Sequence, residues 1–154
     1  MAAGEHREIE RKFLVRELPK DLARCPHAEI DQGYLALEGH GIQVRLRKAD
    51  EKLTLTYKRN QENGREEREV ILTPEQFAVL WPGTSDRRLI KTRYAVPLGD
   101  LVVEIDLYHG RHEGLIVAEV EFSEEEEARS FQPPPWLGED VSHDPRYSNQ
   151  LLAS

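Results

Sequence analysis

The stretch LVVEIDLY, residues 101–108, alternates apolar and acidic side chains one by one. Successive side chains of an extended chain point to opposite faces, so Glu104 and Asp106 share one face. The opposite face carries Val103, Ile105 and Leu107. This period of two predicts a β-strand with one apolar face and one charged face.

The same alternation recurs along most of the chain and predicts eight strands. They cover residues 7–15, 29–37, 42–48, 52–59, 65–72, 88–96, 101–108 and 115–122. Short connections that carry turn residues, such as Asn63-Gly64 and Gly99-Asp100, separate several of them. Strands at such short spacing are typical of a barrel or a sandwich.

A few helices are expected outside these strands. Thr73 can cap a helix that begins at Pro74, and Ser123 can cap a second helix over residues 124–131. Residues 18–25 and 146–152 also favour short helices.

The composition of the chain limits its class. Its length of 154 residues predicts a single domain over residues 1–154, in which residues 132–154 form a C-terminal segment packed on the barrel. The chain has 21 Lys and Arg residues against 29 Asp and Glu residues, and the net charge of −8 disfavours a non-specific nucleic-acid binder. No apolar run is long enough to span a membrane, and the single cysteine, Cys25, favours a reducing, cytoplasmic compartment.

The charged faces of the strands carry like charges at alternate positions. Such charges repel one another, so a merely solvated surface gains nothing from the arrangement. If the sheet closes, these faces line its interior and make a water-filled tunnel rather than a packed core. The acids expected there are Glu8, Glu10, Glu67, Glu69, Glu104, Asp106, Glu119 and Glu121, and the bases are Lys12, Arg45, Arg47, Lys58, Lys91 and Arg93.

This mixture of charges indicates a ligand that combines a multivalent anion with a hard cation. Guanidinium groups match phosphate oxygens in bidentate geometry, and clustered carboxylates suit Mg²⁺ or Mn²⁺. A cavity with both kinds of group fits a metal–polyphosphate complex. The residues alone leave two alternatives, a half-buried sheet with one wet face and a structural ladder of charges that holds no ligand.

A set of short motifs runs in one order along nearly the whole chain. They are Glu8-Ile9-Glu10-Arg11-Lys12, Gln32-Gly33-Tyr34-Leu35, Arg45-Leu46-Arg47, Thr56-Tyr57-Lys58, Glu67 with Glu69, Lys91-Thr92-Arg93-Tyr94, Glu104-Ile105-Asp106, Glu119-Val120-Glu121 and the closing segment 141–149. Together they resemble the CYTH superfamily, the triphosphate tunnel metalloenzymes. The resemblance implies a mainly β fold, a closed eight-stranded antiparallel β-barrel tunnel with a few flanking helices.

The resemblance also implies roles for individual residues. The positions that correspond to triphosphate-binding residues are Lys12, Arg45, Arg47, Lys58 and Arg93. The positions that correspond to metal-binding residues are Glu8, Glu10, Glu104, Asp106, Glu119 and Glu121, with Glu67 and Glu69 as supporting acids.

The function implied is metal-dependent hydrolysis of inorganic triphosphate to diphosphate and phosphate, with Mg²⁺ or Mn²⁺ as cofactor. No serine, cysteine or histidine is among the charged inward positions, so we expect positioning and charge neutralisation rather than a covalent intermediate. A carboxylate, or Lys91 with a pKa lowered by Arg93, is expected to accept the proton. Tyr34 is the expected partner of Lys91 at the tunnel mouth.

Two other functions remain open from the sequence. One is an adenylate cyclase, or another enzyme of the same fold that acts on a nucleoside or organic triphosphate. A cyclase would use a ribose hydroxyl in place of water, although nothing in the sequence marks an adenine pocket. A non-catalytic module that binds polyphosphate is the alternative from a different class. In every case the expected partner is a small polyphosphate rather than a nucleic acid or a membrane, and a homodimer is left open.

Overall fold

The computed structural model describes the backbone of residues 5–38, 41–62 and 64–154, and the side chains of the same ranges from residue 9 onward. Over these residues the fold is mainly β, with one antiparallel sheet of nine strands and a few short helices. The strands are β1 Glu5–Val15, β2 His27–Glu38, β3 Ile42–Ala49, β4 Lys52–Gln61, β5 Gly64–Ile71, β6 Arg88–Leu98, β7 Leu101–Tyr108, β8 Ile116–Phe122 and β9 Leu137–Asp140. The α-helices are α1 Pro74–Leu80, α2 Glu125–Ser130 and α3 Asn149–Ala153.

The strands lie in the order β5-β4-β3-β2-β6-β7-β8-β1-β9. All eight predicted strands are present, each within a few residues of its predicted ends. β1 has a further antiparallel pairing with β5, in which residues 5–8 lie opposite residues 65–68. This pairing brings distant parts of the sheet together and curls it around its charged face.

The predicted closed barrel of eight strands is wrong in two respects. The sheet has a ninth strand, β9, and it forms a half-barrel rather than a closed eight-stranded barrel. The pairing of β1 with β5 covers only four residue pairs, and β1 then pairs with β9 through Phe13 and Val15. β9 reads Leu-Gly-Glu-Asp, which is too short and too polar to give a period-two signal.

The larger apolar cluster lies on the outer face of the sheet. Phe13, Ile105 and Val120 are buried there, together with Ala128 of α2 and Leu137 of β9. These side chains come from the apolar positions that alternate with the charged ones. The outer cluster therefore turns the charged faces of β1, β7 and β8 inward.

A second apolar cluster closes one end of the inner face. Leu89, Tyr108 and Val117 continue the inward rows of β6, β7 and β8, and they pack against Leu152 and Ala153 of α3. The inward faces are thus charged along part of their length and apolar at one end. The alternation along the strands does not predict this change.

Two of the predicted helices begin close to their expected positions. At α1 the Thr73 hydroxyl accepts a hydrogen bond from the backbone N–H of Gln76, and the Gln76 side chain accepts one from the backbone N–H of Thr73. At α2 the cap is Glu124 rather than Ser123, and its side chain makes no capping hydrogen bond. Negative charge in the first turn of α2 still suits the helix dipole.

The other two helical segments are shorter than predicted. Residues 18–25 contain only a 3₁₀ turn at Leu22–Arg24. Residues 146–152 divide into a 3₁₀ turn at Pro145–Tyr147 followed by α3. In the part of the chain that the structure describes, no helix has the length and apolarity needed to cross a membrane.

Candidate active site

The inward faces of the strands surround a cavity of about 240 Å³. Its lining is polar or charged, and the residues come from every strand except β9 and from the start of α3. The lining acids are Glu10, Glu67, Glu69, Glu104, Glu119 and Glu121; the bases are Lys12, Arg45, Arg47, Lys58, Arg65 and Arg93; the neutral residues are Tyr34, Gln43, Ser148, Asn149 and Gln150. Such a cavity fits a small, highly charged ligand far better than it fits an apolar ligand.

The cavity contains all of the predicted site residues except three. Lys91 and Asp106 are buried behind its wall, with exposed fractions of 0% and 1%. Glu8 lies in β1 but outside the residues whose side chains the structure describes. Placement in one cavity supports the choice of residues, while their individual roles remain predictions.

Two rows of side chains cross β3, β4 and β5 on the inner face. In the first row, Arg45 Nη2 donates to Thr56 Oγ1 at 3.4 Å, and the Thr56 hydroxyl donates to Glu69 at 2.8 Å. In the second row, Lys58 Nζ lies 3.6 Å from Glu67 Oε2. Glu67 and Glu69 therefore support the two bases from the β5 side.

A third basic side chain is held by β2. Arg47 Nε donates to Gln32 Oε1, and Gln32 Nε2 donates to the Tyr34 hydroxyl, each at 2.9 Å. Burial lowers the pKa of Arg47 to about 9, and the nearby charge of Arg45 acts in the same direction. Among the described side chains, Tyr34 is thus paired with Gln32, and the predicted pairing with Lys91 is wrong.

A buried ion cluster lies between the cavity and the apolar end. Asp106 Oδ1 accepts from Arg93 Nε at 2.7 Å, and Asp106 Oδ2 accepts from Arg93 Nη2 and Lys91 Nζ at 2.8 Å each. Burial alone raises the pKa of Asp106, but the two cations outweigh it and hold the pKa below its usual value. Both oxygens of this carboxylate are therefore already bound by cationic donors.

Lys91 has an unusual environment for a charged amine. Burial lowers its pKa to about 7, and the attraction of Asp106 only partly offsets this effect. The predicted cause, repulsion by Arg93, contributes less than burial does. Lys91 Nζ also lies 3.4 Å from Asn149 Oδ1, which accepts a hydrogen bond from the Tyr108 hydroxyl at 2.5 Å.

The acids of β1, β7 and β8 lie side by side across from the basic rows. Glu10 is opposite Glu121, and Glu104 is opposite Glu119, in the strand register. Glu119 accepts from Arg93 Nη2 at 3.1 Å. Burial raises the pKa of Glu119, but Lys12 and Arg93 together hold it well below its usual value.

The chemistry of this donor set fits a hard divalent cation. The described lining offers carboxylate oxygens and no histidine or cysteine, and carboxylate oxygens are the ligands that Mg²⁺ and Mn²⁺ prefer. Within the described side chains, no three acidic, histidine or cysteine residues already converge as a metal centre.

Several residues of the lining are not among those predicted from the sequence. Arg65 lies two positions before Glu67 on β5, so the alternation that placed Glu67 also carried the signal for Arg65. Ser148, Asn149 and Gln150 reach the cavity from the C-terminal segment, and no strand periodicity predicts that.

The C-terminal segment is fixed to the sheet at both of its ends. Lys12 Nζ donates to the carbonyl of Tyr147 at 3.0 Å, and the backbone N–H of Val141 donates to the carbonyl of Lys12 at 2.8 Å. Arg111 Nη2 donates to the carbonyls of Leu152 and Ala153 at 3.1 and 3.2 Å. These contacts hold α3 against the inner face.

Comparison with known proteins agrees with the motif order. Residues 6–148 match the model of the CYTH domain. The inorganic triphosphatase of Nitrosomonas europaea is 42% identical over 148 residues, which cover 95% of this chain and 96% of that protein. The inorganic triphosphatase of Acetivibrio thermocellus is 32% identical over 149 residues, covering 95% and 92%. The crystal structure of the inorganic triphosphatase NE1496 superposes with a TM-score of 0.71 at 40% identity, covering 96% of this chain and 95% of that one. The chain belongs to the CYTH domain family.

Proposed function

We propose that this chain hydrolyses inorganic triphosphate to diphosphate and phosphate with the help of Mg²⁺ or Mn²⁺. The observation that carries the proposal is one polar cavity of about 240 Å³ whose described lining combines six bases with six carboxylates. Similarity to two inorganic triphosphatases, at 42% and 32% identity over most of each chain, supports the same substrate.

We further propose that the half-barrel acts as a closed tunnel around its ligand. The β1–β5 pairing over residues 5–8 and 65–68 joins the two regions that must meet for closure. The C-terminal segment, residues 132–154, then covers part of the cavity with α3. A closed site excludes bulk water and strengthens each charge interaction inside it.

In this proposal the basic residues bind the triphosphate. Arg45, Arg47 and Lys58 approach it from β3 and β4, Arg93 from β6 and Lys12 from β1. Guanidinium groups bind phosphoryl oxygens through paired donors, so the arginines orient the chain as well as neutralise it.

The carboxylates that would hold the cation are those that line the cavity on β1, β7 and β8, namely Glu10, Glu104, Glu119 and Glu121. A bound divalent cation supplies charge neutralisation at phosphoryl oxygens and a lower pKa for water. Asp106 does not join this set in our proposal, because Arg93 and Lys91 already occupy both of its oxygens. Asp106 instead positions those two bases.

Lys91 and the cavity carboxylates are the candidate proton acceptors. With a pKa of about 7, Lys91 is partly neutral at neutral pH and can accept a proton. Its amine lies behind the wall of the cavity, next to Asn149. Water in the cavity therefore meets the carboxylates directly, whereas the amine of Lys91 is fully buried.

The first test compares substrates. We expect kcat/KM for inorganic triphosphate to exceed that for ATP by at least about tenfold at equal Mg²⁺ and salt. The cavity is small and polar, Tyr34 is its only aromatic residue within the described lining, and a nucleoside removes one terminal charge from the phosphate chain. Phosphate release and nucleotide products are measured together.

The outcomes separate the three functions. Equal or faster turnover of ATP, or formation of cyclic AMP, would show that the protein is a nucleotide enzyme of the same fold and not an inorganic triphosphatase. Tight binding of triphosphate without phosphate release would indicate the non-catalytic module.

A second test concerns Arg45. We expect Arg45→Lys to lower kcat/KM for triphosphate by about 10- to 100-fold, the usual range for losing hydrogen bonds to a charged group. The matched control is Arg59→Lys on the same strand pair, where Arg59 is 49% exposed and pairs with Glu66. Normal kinetics in Arg45→Lys would mean that Arg45 contributes only general positive potential.

A further inference from the structure

Two buried donors on β3 have no hydrogen-bond partner among the described residues. They are Gln43 Nε2 and Arg45 Nε. Gln43 is only 2% exposed and Arg45 only 4%, so bulk water does not satisfy either group. Buried polar atoms are nearly always paired in native proteins, and an exception in a cavity points to a ligand that completes the pair.

The protein surroundings explain why Gln43 lacks a partner. Across the sheet Gln43 lies opposite Lys58, and Lys58 lies opposite Glu67. An ammonium group has donors and no acceptor, so Lys58 cannot accept a hydrogen bond from the Gln43 amide. Glu67, the carboxylate at the end of this row, lies with its Oε2 3.6 Å from Lys58 Nζ. Among the described residues no acceptor is left for the Gln43 amide, and an acceptor that enters the cavity can supply one.

Arg45 has the same need in the neighbouring row. Its Nη2 donates to Thr56, whose hydroxyl donates onward to Glu69, and its Nε is left over. Gln43 and Arg45 are two residues apart on one strand face, so their Cα atoms are about 6.5–7 Å apart. A tetrahedral phosphoryl group between them can present one oxygen to each donor.

We propose that Gln43 is a substrate-binding residue, whose Nε2 donates to an oxygen of the phosphoryl group that Arg45 Nε also binds. The inference rests on the proposed function and adds a neutral contact to the charged set. A carboxamide N–H donates to an ionised phosphoryl oxygen without adding charge to the site. Gln43 thus fixes where along β3 the phosphoryl group lies, while the bases supply the attraction.

The test uses Gln43→Met, which keeps the size of the side chain and removes the donor. We expect the Kd of tripolyphosphate, measured by calorimetry in EDTA, to rise about tenfold, and KM in Mg²⁺ to rise similarly with a smaller change in kcat. The melting temperature of the ligand-free protein should stay the same or rise, because an unpaired buried donor is gone. A purely structural role would instead lower the melting temperature.

Two further variants complete the test. Gln43→Glu keeps the shape but places a carboxylate beside the phosphoryl group, so we expect weaker binding than in Gln43→Met. Gln61→Met makes the same change at an exposed position at the end of β4, outside the cavity lining, and should behave as wild type. Wild-type affinity in both Gln43 variants overturns the inference and leaves the triphosphatase proposal intact. Failure of the wild-type protein to bind tripolyphosphate overturns both.

Discussion

Asp106→Asn is expected to lower the free energy of unfolding by about 3–5 kcal/mol, the range for removing one partner of a buried ion pair. Asp106 is 1% exposed and compensates the buried Lys91 and the half-buried Arg93 through contacts of 2.7–2.8 Å. Asparagine fits the space but removes the charged partner of Lys91 and the closest of the carboxylates around Arg93, which keeps Glu104 and Glu119. Urea unfolding of the metal-free protein in EDTA measures the change.

Glu104→Gln is the matched control for this experiment. Glu104 shares a strand face with Asp106 and contacts the same Arg93, at 3.4 Å, but its side chain is 45% exposed. Exposed ion pairs contribute about 0–1 kcal/mol, so we expect little change in the unfolding free energy. The two variants share the strand and the Arg93 partner, and they differ in burial and in the Lys91 contact that Asp106 makes.

The same experiment separates two roles for Asp106. A metal-ligand carboxylate in a crowded acidic site is destabilising without its metal, so neutralising it should leave the metal-free protein equally or more stable. A carboxylate that holds Lys91 and Arg93 in place should cost stability whether or not metal is present. If Asp106→Asn is as stable as the wild-type protein in EDTA, Asp106 is better explained as a metal ligand. That result would contradict its assignment as the residue that positions Lys91 and Arg93.

The contrast between Glu104 and Asp106 shows what the sequence could predict about the site. Period-two alternation assigned both side chains to the inner face, and the structure places both there. Alternation defines a face but not a position along the cavity, and the inner face changes from charged to apolar within one strand. Asp106 lies at that boundary because Tyr108, the next inward residue, packs against Val117 and α3.

The fold also has parts that the sequence predicts and parts that it does not. The eight longer strands were predicted because each has a local apolar–polar period that is independent of the rest of the chain. β9 and α3 are placed by long-range contacts instead. β9 pairs with β1 through Phe13 and Val15, and Asn149 at the start of α3 meets Tyr108. No local pattern encodes such contacts, so the half-barrel and the C-terminal part of the lining came only from the structure.

Glu121→Gln is expected to reduce metal-dependent triphosphate hydrolysis at least about 100-fold, because a carboxamide oxygen is a far weaker ligand for Mg²⁺ or Mn²⁺ than a carboxylate. Glu121 lines the cavity directly opposite Glu10. Two carboxylates facing each other across a strand pair repel, so the variant should fold and be as stable as wild type, or more stable, in EDTA. Phosphate release over a titration of each metal gives the measurement.

Glu119→Gln should lose activity to a similar extent but differ in stability. Lys12 and Arg93 hold the pKa of Glu119 well below its usual value, so the ionised carboxylate stabilises the folded state above the unfolded pKa of about 4.3. We therefore expect Glu119→Gln to be less stable than Glu121→Gln at neutral pH in EDTA. Glu51→Gln, at an exposed turn between β3 and β4, serves as the neutral control. Near-normal hydrolysis by both variants at saturating metal would remove β8 from the cation site, and the acids of β1 and β7 would then have to hold the cation without it.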